Sequence, residues 1–238
     1  MKQALVRHEN IEIPVTISDW NELHGITMYI MTLNEEKEIK ECLDHHKPYV
    51  DYIVMVDGGS KDRTVEIASP IVDDLFVRKF DGHYSNQVNR CIERCKTDWA
   101  LFVDTDERFG EEFLKNIRNL INQEVYDCYK IPRKNYIDGQ YSADNYPDYQ
   151  VRLHRTYCRR IRPVHSEVVG YKKCGEVACT DGNFIIHAKT SARHNLRNTL
   201  YGIYEMKYLN EMGAPGTQNR EAFYARYPMM KADHFGVK

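Results

Sequence analysis

The chain has 238 residues, 42% of them hydrophobic, with a formal net charge of −2 and a mean hydropathy of −0.63. That length and apolar content suit one large domain or a domain with an appendage, and the near-neutral charge excludes general attraction to nucleic acid or to an anionic membrane. No apolar run exceeds strand length, which leaves no transmembrane helix to expect; residues 1–8 are too polar for a signal peptide; and seven cysteines without scaffold spacing suit a reducing, cytoplasmic compartment.

Residues 1–24 read as a leading strand or arm, with Pro14 limiting any helix. From about 25 to 122, apolar runs alternate with helical spacing. The run 25–31 leads into Thr32-Leu33-Asn34-Glu35-Glu36. A helix is predicted from there, with Asn34 as N-cap, Glu35 and Glu36 in its first turn, and Ile39, Cys42 and Leu43 inward. The run 52–56 leads into Asp57-Gly58-Gly59-Ser60, a tight turn whose glycines let a ligand approach the backbone. Val88, Cys91, Ile92 and Cys95 mark a third helix and make its cysteines core residues. The run 99–103 ends in Asp104-Thr105-Asp106-Glu107, and Phe113, Ile117, Leu120 and Ile121 give a fourth helix its apolar face.

Strands alternating with helices predict an α/β fold, a mostly parallel central sheet flanked by helices, with ligands at the carboxyl ends of the strands. Asp57, Asp104 and Asp106 are therefore expected at one edge, near Thr32. Clustered carboxylates repel one another and resist desolvation. A hard divalent cation, Mn²⁺ or Mg²⁺, shared with a diphosphate is the expected compensation.

From 126 to about 184 the pattern changes to short β-like runs, with turns at Asp138-Gly139 and Asp181-Gly182, which predicts a smaller antiparallel part. Asp148 puts a carboxylate just before one such run, with Asp144 and Glu167 as its rivals for any acid–base role. The run 184–186 ends in His187, with His165 as its rival. Arg152, Arg155, Arg159, Arg160 and Arg162 form a basic segment, read as a solvated hairpin face or, alternatively, a clamp for an anionic acceptor. Cys174 and Cys179 could be half of a zinc site, but no second pair supports one. From Asn195 helical spacing returns at Leu196, Leu200, Ile203 and Tyr204 and stops at Gly213-Ala214-Pro215-Gly216.

In their order these motifs resemble the inverting nucleotide-sugar glycosyltransferases of family 2, which have the GT-A fold, and among them the branch that modifies lipopolysaccharide cores and similar surface glycans. Residues 32–36 and 56–64 resemble that family's two nucleotide-binding loops, with Gly58 where many members carry a second Asp. Residues 84–90 resemble its Gln-x-Asn helix start, and Asp104-Thr105-Asp106 its Asp-x-Asp signature. The resemblance covers residues 26–170. It implies a GT-A domain over 1–190, with a nucleotide-binding part at about 25–122 and an acceptor part at about 123–190, and a helical extension over 191–238. Thr32, Asn34, Asp57, Gln87, Asn89 and Asp104 would contact the donor; Asp106, Asp104 and His187 would hold the metal; and Asp148 would deprotonate the acceptor. The implied donor is a nucleotide sugar, a UDP-sugar first, and the implied acceptor a hydroxyl of a glycan or lipid-linked saccharide, which places the protein in the cytoplasm or at the membrane carrying that lipid. Two other readings stand beside this one. A sugar-phosphate nucleotidyltransferase would carry a glycine-rich loop after the first strand, which residues 32–36 lack. A noncatalytic nucleotide-sugar-binding module would have no acceptor-side base.

Overall fold

A computed structural model describes residues 2–8, 11–17, 25–143 and 146–211. Asp144 and the Gly213-Ala214-Pro215-Gly216 stop lie outside the described residues. Strands β1 (Lys2–His8) and β2 (Ile11–Ile17) pair as an antiparallel hairpin, in keeping with the leading strand expected there.

The alternating unit follows as β3 (Ile26–Thr32), α1 (Ile39–His46), β4 (Tyr52–Asp57), α2 (Thr64–Ala68), β5 (Asp74–Val77), α3 (Tyr84–Ile92) and β6 (Trp99–Phe102). Its strands pair in parallel in the order β5-β4-β3-β6. Side chains alternate between the two faces of a strand, and both faces here are covered. Met28, Ile30, Ile53, Met55, Trp99 and Leu101 pack with Ile39, Cys42 and Leu43 of α1. Tyr29, Val54, Val56, Ala100 and Phe102 pack on the other side with Val88, Cys91 and Ile92 of α3. That burial from two sides is why these runs are continuously apolar.

The second half adds β7 (Glu107–Phe109), α4 (Glu111–Ile121), β8 (Cys128–Ile137), β9 (Gln140–Ser142), β10 (Asp148–Arg155), β11 (Arg159–Ile161), β12 (Glu167–Val169), β13 (Cys174–Glu176), β14 (Ile185–Lys189) and α5 (Ser191–Glu211). Antiparallel β10 extends the sheet from β6, and the order runs on through β8 and β14 to β7, with β9 and β13 also on β8, ten strands in all. β14 is parallel to β8 and antiparallel to β7. The mostly parallel sheet and its smaller antiparallel part are thus both present.

One local expectation needs correction. The first helix begins at Ile39, not near Asn34. Asn34 sits at φ 56°, left-handed backbone unlike the extended conformation of an N-cap. Its N–H reaches Ser60 Oγ (2.8 Å) and its Oδ1 accepts from the Lys61 N–H (2.8 Å), so a tertiary contact overrides helix initiation. Glu35, assigned to helix-start charge, instead pairs with Arg193 of α5. The helix read from Asn195 onward is present as α5, and on it Leu196 and Ile203 are 62% and 46% exposed. The helix lies against the domain through Tyr201 and Tyr204, whose rings stand 5.3 and 6.2 Å from that of Tyr84. Among the described residues no helix is long and apolar enough to cross a membrane.

Candidate functional site

Parallel register sets Thr32 beside Asp57 at the carboxyl ends of β3 and β4. The Thr32 hydroxyl donates to Asp57 Oδ2 (3.1 Å), while Asp57 Oδ1 accepts from the N–H groups of Gly59 (2.9 Å) and Ser60 (2.7 Å). Gly59 has φ 101°, backbone that favours glycine. Asp57, only 1% exposed, therefore braces this turn, and Asn34 stitches the neighbouring loop to it. Gln87 and Asn89 are likewise engaged by the fold. Gln87 donates to the Arg78 carbonyl (2.7 Å), and Asn89 exchanges hydrogen bonds with the backbone of Arg160 (2.8 and 2.9 Å).

The acidic turn is held by arginines from the second half. Glu107, fully buried, accepts from Arg152 Nη2 (2.6 Å) and Arg133 Nη1 (3.1 Å). Burial pushes its carboxyl up, but those two charges outweigh it and hold the group down at about 2. Arg152 Nη2 also reaches Asp104 Oδ2 (2.9 Å).

Asp106 is different. It is 4% exposed, and among the described residues neither carboxylate oxygen has a hydrogen-bond partner. Around Oδ2 stand Arg197 Nη1 (3.3 Å), His187 Nε2 (3.5 Å) and Arg193 Nε (3.6 Å). Burial raises its pKa, but His187 and the arginines outweigh that and hold the carboxyl well below the usual range. β14 carries His187 into place, and its Nδ1 lies 2.8 Å from Asn135 Oδ1. His187 Nε2, facing Asp106, also has no hydrogen-bond partner among the described residues. Among these residues no three His, Cys, Asp or Glu side chains gather into a metal cage, so Asp104 does not complete a three-ligand group with Asp106 and His187. A buried carboxylate and a buried imidazole nitrogen, neither hydrogen-bonded among the described residues, still fit a cation whose other positions come from a diphosphate and water.

Asp148 Oδ2 accepts from Arg133 Nε (2.9 Å) and Nη2 (2.6 Å) and from Asn135 Nδ2 (3.1 Å); Oδ1 accepts from Gln150 (2.6 Å). Burial would raise this carboxyl, but Arg133 and the amide donors hold it below the usual range, so it is ionised at neutral pH. Of the rivals, Glu167 pairs with Arg162 (2.9 Å) and His165 stacks edge-on against Tyr201 (5.4 Å).

The basic segment is neither a solvated face nor an acceptor clamp as a whole. Arg152, Arg155 and Arg160 are 5%, 6% and 4% exposed. Arg155 pairs with Asp98, and Arg160 donates to the Tyr29 hydroxyl (2.9 Å), because β10 is an inner strand of the sheet and β11 packs against α3. Cys174 lies beside Cys128 in the β13–β8 register, while Cys179 contacts the Tyr146 hydroxyl (2.6 Å), which places the two thiols in separate settings. Sequence reading missed Glu107, Arg133, Asn135, Arg193 and Arg197. Two spacings could have flagged the last four: Arg133 and Asn135 share a strand face, and Arg193 and Arg197 share a helix face.

Similarity to known proteins bears on the fold and the family. The crystal structure of S. aureus TarS 1-349 in complex with UDP-GlcNAc matches with a TM-score of 0.56 at 17% identity, covering 78% of this chain and 67% of that one, which shows the GT-A architecture. An uncharacterized glycosyltransferase of Rickettsia typhi is 32% identical over 109 residues, 44% of this chain and 37% of the relative. The SPbeta prophage-derived glycosyltransferase SunS of Bacillus subtilis is 33% identical over 89 residues, 37% of this chain and 21% of its own. The chain thus matches well under half the length of these curated relatives. The family model described as Glycosyl transferase family 2 matches residues 27–189. That match spans more than half the chain, from β3 through the acidic turn to β14, and the chain belongs to glycosyltransferase family 2.

Proposed function

We propose that this protein is a metal-dependent, inverting glycosyltransferase that moves a sugar from a nucleotide diphosphate donor, a UDP-sugar, to a hydroxyl of a glycan or lipid-linked saccharide. The observation that carries this reading is Asp106: a buried, ionised carboxylate without a hydrogen bond among the described residues, facing His187 Nε2 at 3.5 Å. Arg197, Arg193 and His187 offset the Asp106 charge, but its oxygens still lack hydrogen bonds among the described residues, and a bound cation would satisfy them directly. Mn²⁺ or Mg²⁺ held by Asp106 and His187, with Asp104 alongside, would neutralise the diphosphate and stabilise the leaving nucleotide.

The chain's own residues supply the rest. Arg193 and Arg197 bring two guanidinium groups to the same place from α5, suited to phosphate oxygens. Thr32, Asn34 and Asp57 shape the nucleoside side through their cross-braced loops. Gln87 and Asn89 act by holding Arg78 and β11 in position. Asp148, kept ionised, takes the proton of the acceptor hydroxyl as that oxygen attacks the anomeric carbon opposite the departing diphosphate, so the configuration inverts.

The test is UDP release and glycoside formation over a panel of UDP-sugars and saccharide acceptors, with Mn²⁺ and with EDTA. Turnover that needs the cation and inverts the anomeric carbon by NMR is the expected result. Turnover only with a nucleoside triphosphate or pyrophosphate would favour the nucleotidyltransferase reading. Donor binding with no turnover would favour the noncatalytic module.

A further inference from the structure

We propose that Asn135 is a positioning residue that fixes which nitrogen of His187 carries the proton and joins His187 to Asp148, so that the metal side and the base side of the site are set as one unit. The inference rests on the roles proposed above for His187 and Asp148. Strand register creates the link. Arg133 and Asn135 are two apart on β8; antiparallel pairing sets Asp148 beside Arg133, and parallel pairing sets His187 beside Asn135.

The orientation of the Asn135 amide follows from its neighbours. An ionised carboxylate only accepts hydrogen bonds, so the atom 3.1 Å from Asp148 Oδ2 is the amide nitrogen. The amide oxygen then faces His187 Nδ1 at 2.8 Å, and that nitrogen must carry the hydrogen. In the neutral ring the lone pair is consequently on Nε2, on the Asp106 side, 3.5 Å from its Oδ2. Only this tautomer can give Nε2 to a cation. The other tautomer would aim an N–H at Asp106, an internal hydrogen bond that competes with the metal. Asn135 closes that alternative, and the same amide helps hold Asp148 in place.

Two substitutions separate these effects. Asn135→Ala removes both contacts. Asn135→Asp still accepts from His187 Nδ1 but turns a like charge toward Asp148. The experiment measures Mn²⁺ affinity in the presence of UDP by calorimetry. It also reads the His187 ring nitrogens by long-range ¹H–¹⁵N correlation in metal-free protein, assigned with His187→Ala. The wild type should show the Nδ1–H tautomer. Asn135→Ala should populate the Nε2–H form and lose roughly 10- to 100-fold in metal affinity. Asn135→Asp should keep most of that affinity while transfer falls. An Nε2–H tautomer in the wild type overturns the inference without recourse to any variant, as does equal loss of metal affinity in the two variants. If the wild type and Asp106→Asn show the same Mn²⁺ response, the metal-site reading itself fails, an outcome distinct from a wild type that binds Mn²⁺ and an Asn135→Ala that binds it equally well.

Discussion

Asp106 and Asp148 are both ionised by design, but by different means. Asp148 accepts from neutral and charged donors, three on Oδ2 and one on Oδ1, which leaves Oδ1 room for a hydroxyl, whereas Asp106 has positive groups near it and no hydrogen bond among the described residues. Replacing each by its amide should therefore separate them. Asp148→Asn keeps the shape and removes the proton acceptor, so UDP affinity should persist while transfer falls about 10²–10⁴-fold. Asp106→Asn should abolish the difference in UDP affinity between Mn²⁺ and EDTA, read by calorimetry. Buried histidines add a stability effect. His154 donates from Nδ1 to the Arg155 carbonyl (2.9 Å) and accepts at Nε2 from the Tyr29 hydroxyl (2.6 Å); His46 donates from Nδ1 to the Cys42 carbonyl (2.7 Å) and accepts from the Phe109 N–H (3.3 Å). Burial pushes each of them down to about 3. Because the unfolded chain takes these protons near pH 6.5 and the folded one does not, stability is complete above that pH and falls as pH drops toward 3. The slope is at most about 1.4 kcal/mol per pH unit for each histidine. The urea midpoint should thus be lower at pH 5 than at pH 7; an unchanged or higher midpoint would contradict the neutral, buried assignment.

At the scale of elements, α5 supplies the positive charge around Asp106. Arg193 and Arg197, one helical turn apart, both approach Asp106, and Arg193 also pairs with Glu35 of the first loop. Arg197→Ala removes a positive charge from beside a cation and from beside a diphosphate. Bare Mn²⁺ should then bind no more weakly than to the wild type, while the KM for the UDP-sugar rises roughly tenfold, the loss of one charge-assisted contact. A KM that stays at the wild-type value would place Arg197 outside the donor site. The strand-tip acids were legible because each ends a local apolar run. The arginines were not, because their partners lie in distant elements: Arg152 reads as surface charge until β10 is known to pair with β6. The spacing at Leu196 and Ile203 marked the helix but not its contact face, since Tyr201, Tyr204, Arg193 and Arg197 reach the domain while Leu196 and Ile203 are exposed. The start of α1 was misplaced because Asn34 is a good cap by residue type yet is held left-handed by the loop after β4.

For the molecule as a whole, the parallel half could be read because its apolar strands alternate along the chain with the helices that cover the two faces of the sheet. The order β10-β8-β14-β7 could not, since it depends on pairings between segments far apart in the chain. One crossing in that half is unusually close. A Cβ on Gly110 would lie 2.2 Å from the Gly182 carbonyl oxygen, and the Gly110 N–H bonds to the Phe184 carbonyl (2.8 Å). Gly110→Ala should destabilise the protein by about 2–3 kcal/mol or more, as overpacking against backbone does. Gly139→Ala, at φ 76° with open space around it, should cost only about 1 kcal/mol. Thermal unfolding of the two variants side by side checks the ranking. The place of β14 between β8 and β7 bears on how the protein is made. Glu107 meets His187 only through that strand, and among the described residues β7 pairs with nothing else. During synthesis the parallel half can collapse early, but the acidic turn stays without its histidine until the ribosome has delivered β14, and without its helical arginines until α5 follows. The acidic turn is thus completed last, first by the histidine of β14 and then by the arginines of α5.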